Sequence, residues 1–173
     1  EIKTSLNHNS IIDSNSEGLI GFHFQNYDQG ALGQEESHLV HTRTSSFALF
    51  ALESFNFDLF DLDVGGRLES VNLKNTSMEK GFFPGAFSST IKREVFTNNT
   101  VFGGFDFTER APNAVELFAN GPHHALEQFE VGDSNIGVET SYNFYLGYSY
   151  NDGLDNLKIE TYYNYIDDFI AAD

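Results

Sequence analysis

The chain has no cysteine, so it carries neither a disulfide framework nor thiolate ligands for a metal. Cations are scarce: 9 Lys and Arg stand against 26 Asp and Glu, a formal net charge of -17. The sequence pI is near 4.4. So negative a chain repels phosphate backbones, which excludes nucleic acid as a partner. No run of ~18 apolar residues occurs, so no transmembrane helix is encoded. The opening stretch EIKTSLNHNS lacks a basic start and an apolar centre, and is not a signal peptide. A membrane role stays open all the same, because barrel strands need only about ten alternating residues each.

Aromatics, by contrast, are plentiful at 15%, with 18 Phe. An acidic disordered chain would have few, so the composition predicts a folded, β-rich protein. Period-two alternation supports this. In SYNFYLGYSY (141–150), Tyr142, Phe144, Leu146, Tyr148 and Tyr150 share one face. Ser141, Asn143, Gly147 and Ser149 share the other with Tyr145. Segments 157–165, 62–71 and 18–27 alternate in the same way, and 45–57, 82–93 and 100–108 less cleanly. Successive strand side chains point to opposite faces, so each segment reads as a two-sided strand.

Short polar connections lie near 57–61, 97–99 and 151–156. Long ones cover 28–44, roughly 72–81, and 109–141. Long and short alternate along the chain. In an up-and-down antiparallel sheet this puts every long loop at one end and every short turn at the other. That is the layout of an outer-membrane barrel; a soluble β-sandwich makes similar strands. The segment 109–141 is itself neither helical nor strand-like in pattern, and a connection of that length is usually functional.

That segment carries the most specific signal. ERAPNAVELFANGPHHA, followed by FEVGDSNIGVETSYNFYLGYSY, resembles the late-barrel signature of TonB-dependent outer-membrane receptors. Arg110, Ala111 and Pro112 stand in place, as do Glu116, Leu117 and Phe118, then Gly132, Glu139 and Ser141. The family's usual Asn-Pro-x-Leu is replaced by Asp133-Ser134-Asn135-Ile136, and losing the proline implies a less rigid turn. ALFALESFNFDLFDLDVGGRLESV (48–71) is similar to the family's hairpin.

The resemblance implies an all-β, antiparallel up-and-down transmembrane β-barrel, here about eight strands of a larger one. It implies location in the cell outer membrane, contact with its lipid, and uptake of a small nutrient or metal. The partners implied are a plug domain of the same receptor and, through the plug, the TonB complex. No plug and no aromatic final residue is seen, so residues 1–173 are expected to be a fragment of the barrel domain without its final strands. No catalytic residue and no cofactor is expected.

Within the long segment, Arg110 offers a fork of donors to a carboxylate, and Glu116 and Glu139 are its candidate partners. Pro112 stiffens the backbone there. These four read first as a shape-holding motif. The histidines are the candidate metal ligands. His123 and His124 are adjacent and would point opposite ways on extended backbone. Their string resembles a subgroup that includes zinc-uptake receptors. QEESHLVHT (34–42) places Glu35, Glu36, His38 and His41 in one loop, and His-x-x-His lets a turn join both rings on a zinc ion. His23 faces the expected lumen, and His8 gives no signal.

Zinc is therefore the expected cargo, with an iron chelate or haem as the alternative. Two other classes compete. An outer-membrane hydrolase would have to draw on Ser37, His38 and Glu35, without an elbow or oxyanion signature. A soluble β-sandwich adhesion module would leave 109–141 unexplained.

Overall fold

The computed structural model describes residues 1–9, 16–30, 39–123 and 127–171. Its strands are β1 (Ile2–Asn9), β2 (Ser16–Gln29), β3 (Thr42–Asn56), β4 (Asp61–Lys74), β5 (Glu79–Phe82), β6 (Gly85–Phe96), β7 (Asn99–Arg110), β8 (Asn120–His123), β9 (Gln128–Val131), β10 (Glu139–Asn151) and β11 (Asn156–Asp167). One short helix, α1, spans Ala114–Phe118. The main sheet runs β1-β2-β3-β4-β6-β7-β10-β11, with β5 paired to the end of β4, and β8 and β9 form a separate ribbon. Every pairing is antiparallel. The sheet is not closed: among the described residues, β1 and β11 each lack a second neighbour.

Strictly antiparallel neighbours place the connections β3–β4, β6–β7 and β10–β11 at one end. The Asn151 backbone N–H donates to the Asn98 carbonyl at 3.0 Å, joining two of these turns. The connections around 30–41, 75–84 and 111–138 therefore share the other end, as the alternation of loop lengths predicts. Direct contact between two of them is seen in the bridge Leu39↔Ala119.

Register fixes what each face carries, because directly opposed residues share a face. Tyr142, Phe144 and Leu146 align with Phe107, Phe105 and Gly103 on β7, and with Tyr165, Tyr163 and Thr161 on β11. Phe87 and Ile91, then Leu68, Val64 and Leu62, then Leu49 and Phe47, then Phe22 and Phe24 continue this face to β2. It is apolar and open, with Leu68 74%, Leu146 63% and Phe144 50% exposed. Ring pairs such as Phe105–Phe144 and Phe107–Tyr142 tile it. An apolar face of this extent on a β-sheet is made for lipid. A soluble sandwich needs a second sheet over it, and among the described residues the only other sheet is the small β8–β9 ribbon.

The opposite, inner face is polar. It carries Lys92 bonded to Asp63 at 2.7 Å, and Asn143 bonded to Asp106 at 3.2 Å. Arg67 bridges Glu69 at 2.9 Å and His23 at 3.3 Å.

The structure departs from the sequence reading in three places, one of them β5, which falls in the connection expected over roughly 72–81. β1 has only Ile2 and Leu6 as large apolar residues on its outward face, too few to read as a strand. The segment 109–141 is not structureless: it holds α1, β8 and β9. Its turn at Asp133 is also firmer than the missing proline suggests. The Asp133 carboxylate accepts from the Asn135 backbone N–H at 2.8 Å and from its side chain at 3.1 Å. An Asx-type turn replaces the proline.

Candidate functional site

The long-loop end is built around α1. Asn113 opens the helix: its side chain accepts from Val115 N at 2.8 Å and Glu116 N at 3.0 Å, while Glu116 accepts from Asn113 N at 2.7 Å. This reciprocal box satisfies the free donors of the first turn. Pro112, fully buried, precedes it. The helix then buries Ala114, Leu117 and Phe118 against Leu39 and Leu73. Leu73 and Val71 belong to the inner face of β4, opposite Thr44 and Ser46 of β3. Thr42, Thr44, Ser46 and Ala48 of β3 are all buried on the same inner face. The segment 111–138 thus folds inward and seats on the inner wall at the mouth of the sheet.

Arg110 ties this cap to the wall. Its Nη1 donates to Glu116 at 3.0 and 2.9 Å, and its Nε and Nη2 each donate to Glu139 at 3.2 Å. Glu139 also accepts from the Ile170 backbone N–H at 2.9 Å. One guanidinium therefore joins the end of β7, the helix and the start of β10. All three of its nitrogens are engaged by these two carboxylates. Gly132 closes the cap from below: its N–H reaches the Ala119 carbonyl at 2.7 Å, and an added Cβ would meet the Leu117–Phe118 backbone.

The metal candidates are distributed differently. Glu35, Glu36, His38 and His124 lie outside the described residues, as does Ser37 of the hydrolase reading. His123 ends β8. His41 is open to solvent and stands 3.9 Å from Asp28. Asp28 is itself held by Arg43 through two contacts at 3.1 and 3.4 Å. Among the described residues, no group of three or more His, Asp or Glu is poised to hold a metal ion. A cleft of about 1150 Å³ lies beside the cap, lined by Glu116, Phe129, Asp133, Ile136 and Phe169 among others.

Two polar groupings on the strands hold the remaining histidines. His23 has both ring nitrogens engaged, by Glu1 at 3.1 Å and Arg67 at 3.3 Å, which marks it as part of the wall. His8 pairs with Glu53 at 3.2 Å across Gly18, on the outward face near the short turns. The signal available for that pair was Glu53, a lone carboxylate in register with apolar residues.

A comparison with protein families bears on what this arrangement is. The family model described as TonB dependent receptor-like, beta-barrel, matches residues 3–173.

Proposed function

The chain belongs to the TonB-dependent receptor β-barrel family, and on that premise we propose that it forms wall and mouth of an outer-membrane receptor whose cargo is a divalent transition metal, zinc first. Members of the family are outer-membrane transporters, not enzymes; uptake depends on a plug domain and on the TonB complex. An apolar outward face and a polar inner face suit that setting.

The observation that carries the metal reading is the Leu39↔Ala119 bridge. It draws together the two histidine-bearing connections at one rim. His41 lies two residues beyond Leu39, and His123 four beyond Ala119. Glu35, Glu36 and His38 share the first connection, and His124 the second. Three or four of these nitrogen and oxygen donors at ~2.0–2.2 Å would make a tetrahedral zinc site, with an open position for release. The acidic chain would raise the local cation concentration, an effect that salt weakens.

The test is zinc titration of the full-length receptor and of a His38→Ala/His41→Ala variant. The reading expects saturable zinc binding that the double variant loses. Equal affinity in both would move the cargo to an iron chelate or haem and leave the histidines as ordinary loop residues.

A further inference from the structure

The cleft of about 1150 Å³ beside the cap has a lining that the metal reading does not use: no Lys, Arg or His is among its described lining residues. Residues of α1, β9 and the turn at Asp133 line it, and so does the segment 168–171 that follows β11. All four residues of β9 take part, so the site is elongated, since a strand advances ~3.3 Å per residue. Its volume lies just above the ~300–1,000 Å³ usual for small-molecule pockets, which suits a longer ligand.

Two chemistries meet there. Phe129 and Phe169 are 66% and 65% exposed to water, with Ile136 in the same lining. Glu116, Glu130, Asp133 and Asp168 supply carboxylates. Glu116 is answered by Arg110. The Asp133 carboxylate uses only Oδ1 for its turn, and Asp168 bonds only through its backbone N–H, to Asp167 at 3.2 Å. Open ring faces attract cations, and carboxylates bind guanidinium or ammonium groups directly. The net charge of -17 draws cationic ligands toward the chain as a whole. A third feature concerns shape: among the described residues β9 pairs only with β8, so it is an edge strand. Such an edge offers backbone donors and acceptors to an extended chain.

We propose that this cleft takes a short extended peptide, laid along β9, in which basic and apolar side chains alternate. Its basic side chains meet Asp133 and Asp168, and its apolar ones cover Phe129 and Phe169. The site goes beyond the metal reading and stands or falls without it, because it draws on none of the candidate histidines.

The test titrates the full-length receptor, held in lipid nanodiscs, with a fluorescent hexapeptide of alternating Arg and Phe. A Glu and Phe counterpart of the same length and phenethylammonium are the comparison probes. The Arg-Phe peptide should bind saturably and lose affinity as salt rises. Asp133→Asn/Asp168→Asn and Phe129→Ala/Phe169→Ala should each weaken it severalfold. Asparagine keeps an acceptor for the turn at 133, so the cap should stay folded. His38→Ala/His41→Ala should leave peptide binding unchanged, and the cleft variants should leave zinc binding unchanged, so either reading can fail alone. No saturable binding by the wild type, equal binding of the Glu-Phe peptide, or unchanged peptide binding in either cleft variant overturns the proposal. Displacement of the peptide by phenethylammonium at matching concentration makes the ligand a small organic cation and overturns it too. Should a cleft variant not assemble, the comparison of the two peptides on the wild type still decides.

Discussion

Arg110 fills its fork with two carboxylates from different elements, and the same Glu116 also closes the helix cap. Lysine at this position keeps the charge but not the planar fork. Arg110→Lys should therefore loosen the cap more than the barrel. The side chain is 41% exposed, so solvent screens part of the pair, and the expected cost is roughly 1–2 kcal/mol. Limited proteolysis within 111–138 should speed up while the barrel keeps its heat resistance. Unchanged cleavage would mean that the apolar cluster alone holds the cap. The choice of Glu116 and Glu139 as partners was legible in the sequence, because a guanidinium needs carboxylates and these two flank the segment. The His8–Glu53 pair was not legible, because it depends on β1 lying beside β2, which no local pattern in residues 2–9 announces.

The strands were legible because alternation is a local property: β10 and β11 extend the expected segments 141–150 and 157–165 by only a few residues. α1 was not, since five residues are too short to display a 3.6-residue period. The Asn113 and Glu116 spacing is the one signal that marks it. Leu117 is 1% exposed at the centre of the cap cluster, so Leu117→Ala should cost about 2–4 kcal/mol, read as loss of protease protection across 111–138. On the outward face, Leu146→Arg places a charge among exposed apolar residues. It should cost about 2–4 kcal/mol at mid-bilayer and reduce assembly into the membrane. Normal assembly would argue that this face does not meet lipid. The turn after β10 makes a pH prediction. The backbone N–H groups of Asp155 and Leu154, with the Tyr150 hydroxyl, hold the Asp152 carboxyl below its usual range. A depressed acid stabilises the fold above its unfolded pKa and loses that contribution as pH falls through the lower, folded value. Amide protection at Leu154 and Asp155 should therefore weaken in acid, and Asp152→Asn should remove that dependence.

For the whole molecule, topology and composition agree on sidedness. The apolar face looks to lipid, the polar face looks inward, and the long connections gather at one end around the cap. Loop-length alternation carried that much in the sequence. What the mouth binds was less legible, because a ligand set drawn from two connections depends on how those connections fold together. The Leu39↔Ala119 bridge has no sequence signature. The central claim, a barrel wall with its long-loop end outside the cell, is tested most directly by single-cysteine labelling. The chain's lack of native cysteine makes this simple. Ser134→Cys reports the cap, and Leu154→Cys reports the tip of a short turn. In cells bearing the receptor with any cysteine outside these residues replaced, a membrane-impermeant maleimide should label Ser134→Cys directly and Leu154→Cys only after the outer membrane is permeabilised. Equal labelling of both in intact cells, or the reverse order, would contradict the account.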